Sequence, residues 1–388
     1  MKQVKMRIAI DIQTTLGKPT GFGFYVSNLV EALKKKADSS TKLPPSSVKA
    51  DYGRAGGMTR GGDLELVLVK PDTENDFSTP QRFFWDQFTY PKKARNERVD
   101  LLHQPCFSAP LSFKNPIVVT IHDIISILFP ETIPFASRMF YSKWMPFSYR
   151  KAKKIITISN STKRDIIRVL GIAEDKITVI PLGYDKKIEK KLDKSEIENV
   201  RKNNKLPENY LLHIGTLEPR KNLDFLIEVF SEVIKKDKSD LHLVITGKKG
   251  WYYEGLFEKV KQLSLEEKVI FTGYVDEQDK AAIYQGAKVF TFPSIYEGFG
   301  LPPLEAMAAG VPVISSDTSS MPEVVGKAGI LLSPHDKSGW VKAIREVSGS
   351  EKLRKEMIAK NLEQVKHFSW DKTAEKTIEV YREAIKIK

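Results

Sequence analysis

Two glutamates, Glu297 and Glu305, stand on either side of a Gly-Phe-Gly turn and a double proline in the stretch YEGFGLPPLEAMAAG, residues 296–310. The apolar run before them, residues 289–293, suits a buried parallel strand. Pro302 and Pro303 fit the first turn of a helix, where a missing N–H costs nothing. Glu297 is therefore expected on the turn after a strand, and Glu305 in the first turn of the following helix. In a doubly wound sheet that turn lies at the carboxyl edge, where ligands bind. The backbone N–H groups of Gly298, Phe299, Gly300 and Leu301, with the positive end of the helix dipole, would make a place there for a diphosphate. An ionised carboxylate can only accept hydrogen bonds, so sugar hydroxyls are the natural partners of glutamates that flank an anion site. Taken singly, Glu305 would merely complement a helix N-terminus and Glu297 would be a solvated loop acid. Their joint spacing with the glycines and prolines favours function.

Such a turn needs a scaffold. At 388 residues the chain is long for one core and right for two domains, which implies a cleft. With 41% hydrophobic and 29% charged residues it has the composition of a soluble globular protein. The start MKQVKMRIAIDI is too short and too quickly acidic for a signal peptide, and no apolar run approaches bilayer length, so a cytoplasmic location is expected. One cysteine, Cys106, excludes a disulfide framework and a cysteine-rich metal site. The net charge of +13 favours anionic partners, and the clusters Lys34-Lys35-Lys36, Lys92-Lys93-Ala94-Arg95 and Arg150-Lys151-Ala152-Lys153-Lys154 would suit peripheral contact with an anionic membrane, although a solvated basic face is the simpler account.

Short β-branched runs alternate with amphipathic stretches, the pattern of parallel α/β construction. Strands are expected at residues 6–12, 64–70, 99–103, 116–121, 154–159 and 177–181, with a helix over 25–36. Residues 37–62 read as a mobile loop without core. The charged segment 186–205 reads as a linker with some helix, after which the pattern restarts with strands at 210–214, 241–245, 269–271, 288–292, 311–315 and 329–332 and helices at 223–235 and 279–287. Helices over 351–367 and 370–387 close the chain. Each half is expected to be a doubly wound parallel sheet.

The block FPSIYEGFGLPPLEAMAAGVPVISSDTSSMPEV, residues 292–325, resembles the signature of glycosyltransferase family 4, the retaining nucleotide-sugar glycosyltransferases with two Rossmann-like domains known as the GT-B fold. The likeness extends to IGTLEPRKN (214–222), FTGYVDE (271–277), VVTIHDIISILFPE (118–131) and VIPLGYD (179–185). It implies transfer of a sugar, with configuration retained, from a nucleoside diphosphate sugar to an acceptor hydroxyl. It also implies an acceptor-side domain over 1–185, completed by the last helix 370–388 packing back on it, and a donor domain over 186–369.

In that family the first glutamate bonds the donor sugar and the second the ribose, roles that fall on Glu297 and Glu305. The basic pair that holds the diphosphate would be Arg220 and Lys221, in keeping with a leaving group that gains negative charge. Many members carry arginine where Thr216 follows Gly215 here, so one phosphate contact of the family would be absent or supplied otherwise at Thr216. The family places the histidine of His122-Asp123 against the donor sugar. Gly21 and Gly23, in Thr20-Gly21-Phe22-Gly23-Phe24, take the place of a glycine-rich loop through which backbone approaches ligand, with Phe22 and Phe24 departing from its pattern. His103-Gln104 would line the acceptor side, and Tyr274 and Val275 the nucleotide base.

No Asp-x-Asp pair and no His or Cys cluster with ligand spacing occurs, so no metal and no cofactor beyond the donor are expected. The resemblance is greatest to mannosyltransferase-type members of polysaccharide biosynthesis, which makes GDP-mannose the first choice of donor and a UDP-hexose the second, with a glycan or lipid-linked saccharide as acceptor. A sugar-nucleotide epimerase or a phosphorylase would share the build, but no lysine setting for pyridoxal phosphate is evident. Nucleic-acid binding is disfavoured, since the basic clusters lack interleaved aromatics and any known binding motif.

Overall fold

The computed structural model describes residues 6–16, 21–39, 58–61, 63–73, 77–130, 135–237, 240–250 and 253–386. The chain forms two compact α/β units, Met1–Gly183 with Ser369–Lys388, and Tyr184–Phe368. Both are Rossmann-like.

The first sheet runs β2-β3-β1-β4-β5-β6-β7, from β1 (Met6–Asp11), β2 (Met58–Gly61), β3 (Leu64–Val69), β4 (Leu101–Gln104), β5 (Ile117–Ile121), β6 (Lys154–Thr157) and β7 (Ile177–Val179). All neighbours are parallel except the β2–β3 pair at one edge. Strands covered on both faces need continuous apolar runs rather than alternation, and every residue of β3 and β5 is buried. Ile8 sets the register, opposite Leu66 on one side and Leu101 on the other.

The first helix spans Gly21–Ser39, longer than the expected 25–36 at both ends. Of the expected loop over 37–62, residues 37–39 finish this helix and 58–61 form β2, where pairing with β3 orders an aperiodic sequence. The remainder, 40–57 and 62, lies outside the described residues, as do Thr20 and Glu131.

The second sheet is wholly parallel, β10-β9-β8-β11-β12-β13, from β8 (Tyr210–Ile214), β9 (His242–Thr246), β10 (Val269–Gly273), β11 (Val289–Phe292), β12 (Val313–Ser316) and β13 (Ile330–Leu332). Its core gathers Phe230, Leu243, Val289, Ile314 and Trp340, with Phe225 set edge-on to Trp340. The stretch read as a linker is instead packed structure. A helix at Lys194–Asn203 starts with a reciprocal cap between Asp193 and Glu196, Leu192 N donates to Gln285 Oε1 at 3.1 Å, and Ile188 is buried. A charged segment hides such an anchor, because the few apolar side chains that dock it do not shift its composition.

The last helix, Trp370–Lys386, belongs to the first unit. Tyr381 OH meets His103 Nδ1 at 2.7 Å, Thr373 Oγ1 donates to the Pro181 carbonyl at 2.8 Å, and Lys36–Glu375 and Arg382–Asp63 pair at its surface. A Cβ on Gly183 would stand 2.3 Å from Trp370 N, so only glycine lets the strands of chain pass there. Among the described residues no helix is long and apolar enough to cross a membrane.

Candidate functional site

In an open parallel sheet the crevice for a ligand forms where neighbouring strands are followed by connections that leave in opposite directions. In the second unit this happens between β8 and β11. The loop after β8 carries Gly215, Thr216, Arg220 and Lys221, and the loop after β11 carries residues 293–300.

These two loops meet through charge. Lys221 Nζ donates to Glu297 Oε1 at 2.5 Å, Arg220 Nη1 lies 2.8 Å from Glu297 Oε2, and Ser294 Oγ donates to Oε1 at 2.7 Å. Arg220 also donates to the Tyr296 carbonyl at 2.5 Å and pairs with Glu218. Burial pushes the Glu297 carboxyl up, but Arg220 and Lys221 outweigh it and bring the group down to about 2. Burial dominates at Lys221 and lowers its ammonium, against the pull of Glu297. The sequence assigned this cation pair to a diphosphate; in the structure both cations bond Glu297, so the three residues form one unit.

The loop that presents Glu297 is held from below. Ser320 Oγ donates to the carbonyls of Glu297 (3.0 Å) and Phe299 (2.6 Å), Ser316 Oγ and Thr318 Oγ1 donate to the Ser294 carbonyl, and Glu297 N donates to Ser319 Oγ at 2.9 Å. Phe299 is buried edge-on against Phe368. Gly300 has φ 112° and caps the helix Leu301–Ala308, and a Cβ on it would stand 2.3 Å from Met321 Cε. The positive φ is what calls for glycine, and a side chain there would also have to displace the end of Met321.

Glu305 is the fifth residue of that helix, one turn further in than expected. The dipole acts mainly within the first turn, so it does not account for a carboxylate there. Glu305 is buried, and two side chains that the sequence did not single out hold it: Lys280 Nζ donates to Oε1 at 2.9 Å and Tyr284 OH to Oε2 at 3.0 Å. Burial raises its pKa, with Lys280 opposing. Both partners lie on the helix Glu277–Gln285, one turn apart, as an i, i+4 pair must for two groups to grip one carboxylate. That spacing was the available signal. The prolines at the second and third helical positions carry no N–H, which leaves the donors of this helix end to residues 298–301.

Two further groups surround the cluster. His213 stacks on Phe292 with centroids 5.4 Å apart, its Nδ1 meets the Thr291 carbonyl at 3.0 Å, and its buried Nε2 has no partner among the described residues. Burial and then Lys221 hold its pKa down to about 3. It was also missed. Tyr274 and Val275 follow β10 at the same sheet edge; Tyr274 is half exposed, with Lys248 Nζ 5.2 Å from its ring centre. Thr216 is exposed beside Gly250, where a Cβ would meet its methyl at 2.8 Å.

In the first unit, His122 follows β5. Its Nε2 donates to the Pro105 carbonyl at 2.9 Å, which leaves Nδ1 as the acceptor. Tyr25 packs edge-on at 4.5 Å and Phe22 at 5.0 Å, and burial lowers its pKa to about 4, so the ring is neutral near pH 7. Gly21 and Gly23 are not in a loop; they lie in the first turn of the helix Gly21–Ser39, and nothing stands within 4 Å of a Cβ added to Gly21. The helix reaches back to the carboxyl edge and thereby sets Phe22 on His122. His103 and Gln104 are wholly buried, with His103 bonded to Tyr381 and to Thr120 Oγ1 at 2.9 Å. That histidine is a satisfied core residue, and its neutral ring, down to about 3 through burial, fits that role. Among the described residues no group of three or more His, Cys, Asp and Glu side chains could hold a metal ion.

Comparison with known proteins gives two family matches, Glycosyltransferase Family 4 over residues 20–187 and Glycosyl transferases group 1 over residues 195–364. The chain is 32% identical to O-antigen chain mannosyltransferase B of Escherichia coli over 73% of this chain and 74% of that one. It is 30% identical to O-antigen chain mannosyltransferase RfbU of Salmonella typhimurium over 86% and 88% of the two. Sucrose-phosphate synthase from Thermosynechococcus elongatus, 18% identical, shares the fold, with a TM-score of 0.74 over 99% of this chain and all of that one.

Proposed function

The chain belongs to glycosyltransferase family 4 and is a glycosyltransferase, and from that premise we propose that it moves mannose from GDP-mannose to an acceptor hydroxyl of a glycan or lipid-linked saccharide, with retention at the anomeric carbon. The observation that carries the reading is the Arg220–Lys221–Glu297 unit at the β8–β11 switch point, with Glu305 clamped on the adjoining helix. The choice of mannose rests on the two mannosyltransferase relatives.

In this reading the backbone N–H groups of Gly298, Phe299, Gly300 and Leu301 and the side chains of Arg220 and Lys221 meet the diphosphate, beside Thr216. Glu297, ionised because two cations bracket it, accepts from donor-sugar hydroxyls. Glu305 accepts from the ribose, Tyr274 and Val275 border the base, and neutral His122 turns Nδ1, its acceptor nitrogen, to a sugar hydroxyl. Gly21 and Gly23 place the end of their helix at the first unit's ligand edge.

The bond from the anomeric carbon to the phosphate oxygen breaks as the acceptor oxygen adds on the same face, and the departing phosphate takes the acceptor's proton. Fixed cations stabilise that developing charge. No metal is invoked. Neither a nucleophilic side chain nor a covalent intermediate takes part, and a trapped glycosyl-enzyme would overturn this step.

The test is a transfer assay on a mannose-terminated acceptor with GDP-mannose or UDP-hexoses, with and without EDTA, and NMR of the product's anomeric proton. GDP release from GDP-mannose alone, indifferent to EDTA and giving the donor's anomer, is expected. Transfer from a UDP-hexose alone would replace the donor, and an inverted product would overturn retention.

A further inference from the structure

Two helical segments of the first unit share an unusual build. Thr79–Phe84 and Tyr90–Asn96 are joined by a wide turn at Trp85–Thr89, and Phe135–Met139 and Met145–Tyr149 by another at Phe140–Trp144. Both turns are of the π type, which is rare and concentrates at functional sites. In a regular α-helix a four-residue repeat drifts by about 40° per step, since a turn holds 3.6 residues. A wider turn takes back that drift and keeps such a repeat on one face.

The exposed apolar residues, with lysines in register, follow that repeat. Phe135, Met139, Lys143, Phe147 and Lys151 are all exposed, as are Phe84, Phe88 and Lys92 in the other segment. The apolar ones are far out: Phe84 61%, Phe88 58%, Phe135 86%, Met139 72% and Phe147 55%. Phe83 touches Trp144 with centroids 5.1 Å apart and joins the two segments, while Phe84–Phe88 at 5.7 Å and Trp144–Phe147 at 5.9 Å continue the contact on each side. Single exposed apolar side chains are ordinary; a joined aromatic patch is not.

The two segments themselves carry an excess of positive charge, although Lys93 pairs with Asp72 and Lys154 with Glu383, acids from elsewhere in the unit. Residues 135–154 contain Arg138, Lys143, Arg150, Lys151, Lys153 and Lys154 and no Asp or Glu. The one acid in residues 79–96 is Asp86, which is wholly buried.

We propose that this face docks the protein on an anionic bilayer surface, with Phe84, Phe88, Phe135, Met139 and Phe147 entering the boundary between headgroups and acyl chains and the lysines and arginines pairing with lipid phosphates. Aromatic and methionine side chains are suited to that depth, and cations a few ångström above it meet the headgroups. Charge complementarity selects the occupant, because a second copy would set two cationic faces against each other. The inference stands on the surface alone and does not depend on the donor or the acceptor.

The experiment is co-sedimentation of the full chain with vesicles of phosphatidylcholine alone or mixed with phosphatidylglycerol, with Trp fluorescence followed in parallel. Wild type should bind the anionic vesicles, shift its emission to the blue, and release at high salt. The triple change Phe84→Ser, Phe88→Ser, Phe147→Ser should lose binding at least about tenfold, and so should Lys143→Glu with Lys151→Glu, with thermal stability and transfer to a soluble acceptor unchanged. Equal binding by wild type and both variants would overturn the proposal. So would equal binding to neutral vesicles, or a dimer in solution that the serine variant dissolves.

Discussion

Each unit carries a buried charge cluster where its strand order turns, and the two are near inverses. In the second unit one carboxylate, Glu297, is bracketed by two cations, Arg220 and Lys221. In the first unit, between β1 and β4, one cation, Arg82, is bracketed by two carboxylates, with Asp11 Oδ2 at 3.1 Å and Asp86 Oδ1 at 3.2 Å. Arg82 lies over the Phe107 ring at 4.2 Å, Asp86 takes bonds from Ser108 N and Oγ, and Gln104, the last residue of β4, donates to the Cys106 carbonyl at 2.5 Å. The Arg82 cluster is sealed by its own partners and ties strand ends and a helix together. The Glu297 cluster, in which Arg220 is shared with Glu218, stands at the start of the helix Leu301–Ala308, where the proposed reading brings in a diphosphate. In the proposed reading the same topological position serves as a lock in one unit and as a binding site in the other.

Breaking the lock should produce the largest effect. Arg82→Ala leaves two buried carboxylates without their cation and should destabilise the protein by about 3–5 kcal/mol in urea unfolding at neutral pH. If Arg82 belonged to a binding site instead, the loss would fall on ligand affinity with stability kept.

The two clusters should also respond oppositely to pH. Burial first, and Asp11 with it, raises Asp86 to about 7 against the pull of Arg82, while Glu297 is lowered to about 2. An acid whose folded pKa is raised binds protons more tightly in the folded state, so its contribution falls as pH rises from about 4 to about 7, by a few kcal/mol at about 1.4 kcal/mol per unit. Glu297 contributes stability present above its unfolded value of 4.5 and lost as pH falls toward 2. Asp86→Asn should flatten the limb between pH 4 and 7 in urea midpoints and leave the acid limb in place; an unchanged slope would show that Asp86 stays ionised.

At the second cluster the loss should fall on chemistry. Arg220→Ala should cut transfer by about a hundredfold or more, the scale for removing one fixed group that stabilises developing charge. Its thermal midpoint should change far less than that of Arg82→Ala. Comparable unfolding in the two variants would erase the distinction between lock and site.

Smaller effects should separate the glutamates. Lys280→Met should raise the donor KM by roughly tenfold through Glu305 while kcat moves little, and Tyr284→Phe by a few-fold, the value of one hydrogen bond. A 2′-deoxyribose donor analogue sharpens this: wild type should discriminate against it, and Lys280→Met should lose much of that discrimination. Equal discrimination by both would remove Glu305 from the ribose.

The sequence by itself determined the alternation of strand and helix in both halves, because covered parallel strands need unbroken apolar runs, and the block from Glu297 to Glu305, because the glycines, prolines and acids of a strand-to-helix turn lie within a few residues of each other. Where local composition misled, long-range docking was the cause: 186–205 looks like a linker yet is anchored through Gln285, and Gly21-Phe22-Gly23 looks like a loop yet begins a helix. What each acid pairs with was decided by tertiary structure alone. Lys221 and Glu297 are 76 residues apart, Lys280 and Glu305 are 25 apart, and Arg82 and Asp11 are 71 apart. A parallel sheet gathers the carboxyl ends of distant strands along one edge, so whether a charge there is solvated, locked or left able to bind depends on which loops arrive beside it.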